Sequence, residues 1–107
     1  MSDYDETDAT TDLETFRQRL ASSESGWALV AKLNEDIHET SGLDARTLQL
    51  VRCAALAAMG APASSWEAQL AITSPVATDA EILGVLIAIA PVIGTARYAA
   101  AMEGIAG

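Results

Sequence analysis

The chain has 107 residues, half of them hydrophobic, and its fifteen acidic and six basic residues give a formal net charge of −9. This length suits one domain that folds without disulfides or a structural metal, and the one cysteine can form neither an internal disulfide nor a zinc site. The six basic residues are scattered, so we expect no nucleic acid partner. The acidic N-terminus does not resemble a secretory signal, and we expect a cytoplasmic protein.

The negative charge is concentrated at the N-terminus. Six of the fifteen acidic residues lie within residues 1–15, which contain no basic residue. Residues 1–10 also lack an apolar period, so we expect them to form a disordered acidic tail. Residues 11–107 are then predicted to form a single helical domain.

The first helix is predicted over residues 11–21. Thr11 and Glu14 have the spacing of a capping box, in which both side chains satisfy free N–H groups of the first turn. Apolar residues then follow on one face at helical spacing, namely Leu13, Phe16 and Leu20.

A second helix follows a break that is rich in serine and glycine at residues 22–26. Apolar residues recur mostly at steps of three and four, with charged residues largely on the other side. The helix is predicted to end near Gly42, which can adopt the left-handed conformation of a C-cap. Its apolar residues are Trp27, Leu29, Val30, Leu33 and Ile37.

Four more helices are predicted from residue 44 onward, and the fold class is all-α. A strand is conceivable over residues 85–89, but no other segment offers it a partner. The predicted helices cover residues 44–59, 64–73, 78–93 and 95–104. The residues expected to cap their N-terminal ends are Asp44, Ser64 with Glu67, Thr78 with Glu81, and Thr95.

The second half of the chain has too few charged residues to shield the apolar faces of its helices from water. Only six charged residues occur within residues 48–107. Helices that are apolar on more than one side must be covered, so we expect a homo-oligomer. The uncharged stretch at 82–96 is shorter than the roughly 20 residues that span a bilayer, and no membrane partner is expected.

The order of these features over residues 43–104 resembles the carboxymuconolactone decarboxylase-like family, which includes the alkylhydroperoxidase D type. The resemblance rests on Leu-Asp-x-x-Thr-x-x-Leu-Val from residue 43, Gly60, Ala-Thr-x-x-Glu-Ile from residue 77, and Ala-Pro-x-x-Gly-x-x-Arg from residue 90. It implies an orthogonal helical domain of about five to six helices that assembles as a trimer or hexamer.

The reactive residues of that family are missing from this chain. Peroxidase members resemble one another in a Cys-x-x-Cys-x-x-x-His run, with a glutamate twelve residues before the first cysteine. With the turn at residues 78–81 as anchor, these four positions hold Ala61, Ser64, Ala68 and Gln49. A serine does not supply a thiolate, and an alanine cannot accept a proton. We therefore expect neither thiol peroxidase nor lactone decarboxylase activity by the family's route.

A small-molecule pocket is the candidate function of the turn near residue 64. The free N–H groups of a helix N-terminus could hold an anionic ligand, with Ser64 or Ser65 donating, Arg52 assisting and Trp66 as a wall. A capping box alone also explains Ser64 and Glu67. The candidate pocket residues are Gln49, Arg52, Ser64, Ser65, Trp66 and Glu67.

The remaining chemically capable residues have simpler explanations. Cys53 is expected to be a small buried residue, and His38 a solvated residue near a helix end. Glu35, His38 and Glu39 share a helix face, but three such residues are a weak metal signal. Arg97 is expected to cap or form an ion pair at a subunit interface, with a ligand clamp as the second interpretation.

The leading hypothesis is a catalytically degenerate, oligomeric protein with a structural or small-molecule-binding role, without a cofactor or metal. The alternative is an enzyme, similar to a lactone decarboxylase or a peroxidase, with a non-standard active site around Gln49, Arg52, Ser64, Ser65 and Glu67.

Overall fold

The fold is all-α, as predicted. The computed structural model describes residues 6–107, and their side chains from residue 12 onward; within this part of the chain it contains six helices and no strand. The helices are α1 (Glu6–Ala21), α2 (Glu24–Ser41), α3 (Ala45–Met59), α4 (Ala63–Thr73), α5 (Asp79–Ile93) and α6 (Thr95–Ala106).

The helices belong to two compact units. The N-terminal unit ends at Ile37 and contains α1 and most of α2, and the C-terminal unit comprises His38–Gly107. The boundary lies shortly before Leu43, where the family resemblance begins. The single domain over residues 11–107 stays a prediction.

Helix α1 begins earlier than the sequence pattern indicated. It starts at Glu6, so residues 6–10, which the sequence pattern places in a disordered tail, are helical in the structure. Thr11 and Glu14 therefore lie inside the helix and do not mark its N-terminus. The rest of the predicted tail, residues 1–5, lies outside the described residues.

Two predicted N-caps are confirmed in the C-terminal unit. The Asp44 side chain accepts a hydrogen bond from the Thr47 amide at 2.7 Å, and α3 begins directly after it. Thr78 and Glu81 form a complete capping box: the Glu81 amide donates to the Thr78 hydroxyl at 3.1 Å, and the Thr78 amide donates to Glu81 Oε1 at 3.0 Å. Each pair lies within three residues, so local spacing alone determines it.

The end of α3 is also confirmed. Gly60 adopts a left-handed conformation with φ of +70°, and its amide donates to the Ala57 carbonyl at 3.2 Å. The next amide, that of Ala61, donates to the Leu56 carbonyl at 3.0 Å, as is usual at a glycine-capped helix end.

Two other predicted caps are wrong. Helix α4 begins at Ala63 with Pro62 as N-cap, so Ser64 lies inside the helix and forms no capping box with Glu67. The fixed φ of proline suits the extended N-cap conformation, and the helix therefore starts before the serine. Helix α6 begins at Thr95, so Thr95 is its first residue and not its N-cap. The N-cap is Gly94, whose φ of +90° is a conformation that glycine tolerates and other residues rarely adopt.

The buried core lies in the C-terminal unit. Helix α3 packs against α4, α5 and α6, and α6 also packs against α4 and α5. Trp66 is the largest fully buried side chain. Helix α6 approaches it closely at Gly104, where a Cβ atom would lie only 2.5 Å from Trp66 Cδ1. The buried core cluster consists of Cys53, Ala57, Trp66, Ile82, Leu86 and Ala101.

Among residues 6–107, no helix combines the length and the apolarity needed to cross a bilayer.

Candidate functional site

The residues of the predicted pocket are distributed over different environments. Ser64 and Glu67 are exposed on α4, and Ser65 on the same helix is half-buried. Gln49 is buried on α3, and Arg52 on the same helix is half-buried. The structure brings Ser64 and Glu67 together in one groove, whereas it places Gln49 in a hydrogen-bonded cluster.

The groove that contains Ser64 and Glu67, here called the α4–α6 groove, has a volume of about 540 Å³. Its remaining walls come mainly from the C-terminal end of α6, where the helix dipole is negative. That dipole and the Glu67 carboxylate both disfavour the anionic ligand expected from the sequence. The groove is lined by Ala63, Ser64, Glu67, Leu70, Gly104, Ile105, Ala106 and Gly107.

Trp66 does not form a wall of this groove. Its side chain is fully buried, which corrects the prediction that it would contact a ligand. The Trp66 indole nitrogen finds no hydrogen-bond partner within the described residues. Gly104, which lines the groove, lies against this indole, so the backbone of α6 closes over the ring. Burial of a large aromatic ring outweighs the cost of one unpaired N–H group.

A buried polar cluster connects α3 to α4. Gln69 Nε2 donates to Gln49 Oε1 at 2.7 Å and to Thr73 Oγ1 at 3.0 Å. The Thr73 hydroxyl donates its one proton to the Gln69 carbonyl at 2.7 Å. Cys53 Sγ lies 3.7 Å from Thr73 Oγ1, within hydrogen-bonding distance of that hydroxyl.

Sequence reasoning missed Gln69 and Thr73 as members of this cluster. A signal was present, because Gln49 and Cys53 are four residues apart on α3, and Gln69 and Thr73 are four residues apart on α4. Four-residue spacing places both members of each pair on one helix face. The spacing does not indicate which face of another helix each pair packs against. It therefore could not identify the hydrogen-bond partners.

Cys53 is buried, as predicted from its apolar neighbours. Burial raises the pKa of the thiol, and the hydrogen bond with Thr73 opposes this rise only in part. The thiol therefore stays protonated at neutral pH. A nucleophilic cysteine needs an accessible thiolate, and this residue offers neither accessibility nor charge.

A second cavity, here called the apolar cavity, lies among α4, α5 and α6 and has a volume of about 310 Å³. Sequence reasoning did not predict it, because its walls come from three helices that are far apart in the chain. Leu70 and Ile105 line both this cavity and the α4–α6 groove, so the two are adjacent. The lining residues of the apolar cavity are Leu70, Ser74, Asp79, Ile82, Leu83, Leu86, Met102 and Ile105.

Two arginines near helix ends have structural roles. The Arg97 guanidinium lies beside Gly60, with Nη1 3.1 Å from the position of a Cβ at that glycine. This places a cation at the C-terminal end of α3, where the helix dipole is negative. Arg46 forms an ion pair with Glu81, which connects the first turns of α3 and α5. Hydrogen bonding to the Thr78 amide lowers the pKa of Glu81.

The weak metal signal on α2 gains no support from the geometry. Glu35, His38 and Glu39 are exposed, and no three His, Cys, Asp or Glu side chains in the described part of the chain are grouped as metal ligands.

Comparison with protein-family models, with curated proteins and with solved structures finds no match for this chain. The resemblance to the carboxymuconolactone decarboxylase-like family therefore stays a prediction.

Proposed function

We propose that this chain forms a cytoplasmic homo-oligomer of the carboxymuconolactone decarboxylase-like type, without activity by that family's route, and that it binds a small, predominantly apolar molecule. The observation that carries the proposal is the apolar cavity, whose walls are six apolar side chains with Ser74 and Asp79 as the polar residues. A binding role explains this cavity, whereas a purely structural role does not require one.

The dimensions and chemistry of the cavity define the class of ligand. Its volume of about 310 Å³ is at the lower end of the range for small-molecule sites. Asp79 and Ser74 offer a carboxylate and a hydroxyl to the polar end of a ligand. A neutral molecule with one hydroxyl or amine donor fits this arrangement. An anionic molecule does not, because the ionisable groups lining the cavity and the adjacent groove are the acids Asp79 and Glu67.

The absence of family-type chemistry is supported by the residues at the expected reactive positions. Gln49 is an amide whose oxygen accepts a hydrogen bond from Gln69, and an amide cannot relay a proton as a glutamate does. Ser64 lies next to Glu67 on an exposed helix face. Cys53, the only thiol of the sequence, is buried and protonated.

Fluorescence titration with N-phenyl-1-naphthylamine, a neutral aromatic amine, tests the binding site. We expect Leu83→Trp, which fills the apolar cavity, to weaken binding by about tenfold or more. The matched control is Ile87→Trp, one turn further along α5 at an exposed position outside the cavity lining, and it should leave the affinity within about twofold. Equal affinities for the two variants and the wild type would contradict the proposed site.

Light scattering tests the assembly, since a particle of 11.1 kDa at every concentration would contradict the homo-oligomer. An activity found in a substrate screen and abolished by Gln49→Ala would instead favour the alternative of a non-standard enzyme.

A further inference from the structure

The N-terminal unit presents a long apolar surface, here called the arm face. Its side chains are between 47% and 64% exposed, and none of the side chains at residues 12–37 is buried. Most of the stability of a helix in a protein comes from packing of its apolar face, so the exposed apolar side chains of α1 and α2 call for an apolar partner surface. The arm face consists of Leu13, Phe16, Leu20, Trp27, Val30, Leu33 and Ile37.

The spacing along the arm face is that of a helix-pairing seam. Steps of three and four residues alternate without interruption from Leu13 to Ile37, which is the a/d pattern of a coiled coil over three and a half heptads. Leu33 flanks the seam. Two seam positions are small or polar, Ser23 at the junction of α1 and α2 and Asn34 within α2. The complete series is Leu13, Phe16, Leu20, Ser23, Trp27, Val30, Asn34 and Ile37.

The structure keeps the seam continuous across the junction between the two helices. One shallow concavity is lined by Phe16, Leu20 and Ser23 together with Arg19, and the next by Leu20, Ser23, Trp27 and Val30 with small residues. Thus five successive seam residues border two adjoining depressions. The Trp27 indole N–H donates to the Ala21 carbonyl at 3.3 Å, which fixes the ring against the end of α1 while 64% of the residue stays exposed.

We propose that the arm face pairs with the arm face of a second copy of this chain, as two antiparallel arms related by a two-fold axis near residue 25. This deepens the homo-oligomer of the proposed function and rests on it. The seven residues are 47% to 64% exposed, which amounts to an exposed area on the order of the ~800 Å² that each partner contributes to an interface of standard size. The exposed area is therefore of the size that a pair requires.

Antiparallel pairing about this axis is self-complementary. It places Leu13 against Ile37 of the partner subunit and Leu20 against Val30 of the partner subunit. It also places the bulky Trp27 against the small Ser23 of the partner subunit. Every a position then meets a d position, and the symmetry is that of a two-fold interface, the commonest one among homo-oligomers.

The charge of the arms predicts an unusual salt response. Residues 12–41 carry six acidic and three basic residues, so two copies repel each other. Added salt screens this repulsion, and pairing through apolar side chains should strengthen from low to physiological salt. A basic protein or peptide bound to the same face would respond in the opposite direction.

Sedimentation velocity on the full-length chain over a concentration series tests the pairing, with circular dichroism at the same concentrations. We expect Val30→Asp to shift the midpoint of association by about tenfold or more and to lower the helix content on dilution. The matched control is Leu29→Asp, the adjacent residue, which is 59% exposed but lies off the seam, and it should shift the midpoint by less than about twofold. Val30→Ile, which keeps an apolar seam, should associate like the wild type.

The possible failures are distinguishable. An oligomer that persists unchanged in Val30→Asp overturns the arm pairing and leaves the proposed homo-oligomer standing. A wild-type chain that is monomeric at every concentration overturns both, whether the arm then packs on its own chain or on another protein. Weaker association in higher salt also overturns the pairing of two acidic arms. Probe binding in the apolar cavity is measured separately and decides the ligand proposal by itself.

Discussion

The N-terminal and C-terminal units are both helical and both rich in apolar residues, yet they use these residues in opposite ways. The C-terminal unit buries Trp66 completely, whereas the N-terminal unit leaves Trp27 64% exposed. The difference lies in the partner surfaces. Helix α3 packs against three other helices, and the small residues Ala57, Ala101 and Gly104 allow close approach in that unit. An amphipathic pattern produces a helix, but burial requires a second apolar surface of matching shape.

Replacing each tryptophan by alanine gives the largest expected contrast. Trp66→Ala should lower the free energy of unfolding by about 3–5 kcal/mol, because it removes the largest buried side chain of the core. Trp27→Ala, measured at concentrations where the chain is monomeric, should lower it by less than about 1 kcal/mol. Urea unfolding followed by circular dichroism measures both values. Similar losses in the two variants would show that Trp27 is also part of a packed core.

The close approach of α6 to α4 can be tested with two glycines of the C-terminal unit. Gly104→Ala should destabilise the fold by about 1–3 kcal/mol, because its Cβ would lie 2.5 Å from Trp66 Cδ1 in a ring that has no room to move. Gly84→Ala is the matched control within α5, where the new Cβ meets no described atom within 4 Å apart from its chain neighbours and the backbone of its own helix. It should stabilise the fold by about 0.5–1 kcal/mol, because alanine is the better helix former. The same sign of change in thermal unfolding for both variants would be inconsistent with this contact.

The smallest expected effect is a pH dependence that reports on the C-terminal unit alone. Burial raises the pKa of Cys53 in the folded state, so the unfolded chain releases the thiol proton at lower pH than the folded chain does. The stabilisation is complete below the unfolded thiol pKa of about 8.5 and is lost as the pH rises through the folded value. We expect the unfolding free energy to fall in this alkaline range.

In Cys53→Ala the alkaline decline should be shallower than in the wild type, even if the variant is less stable at neutral pH. Urea unfolding at a series of pH values between neutral and alkaline conditions measures the two slopes. Parallel slopes would mean that Cys53 titrates alike in the folded and unfolded chains.

The helices and several of their ends could be predicted from the sequence because the interactions that define them are local. Asp44 with Thr47, Gly60, and Thr78 with Glu81 each act within one turn, and all three appear as expected. The two wrong caps, Ser64 and Thr95, are also instructive, since in each case the preceding proline or glycine determines where the helix starts. At both positions the backbone conformation of the preceding residue outweighed the capping tendency of the side chain.

The site was less predictable, because its members come together only through tertiary packing. Ser64, Trp66 and Glu67 are close in sequence, but only Ser64 and Glu67 line the groove, since Trp66 points into the core. Gln49 accepts a hydrogen bond from Gln69, which lies on another helix twenty residues further along the chain.

By itself, the sequence determined the all-α class, the order of the helices and the exclusion of a reactive thiol pair, because hydrophobic periodicity, caps and residue identity are properties of short segments. Only the tertiary structure decided which tryptophan is buried, which polar groups form hydrogen bonds with one another, and where a cavity opens among α4, α5 and α6. These depend on which helix faces meet, and the free energy of such contacts comes from residues far apart in the chain.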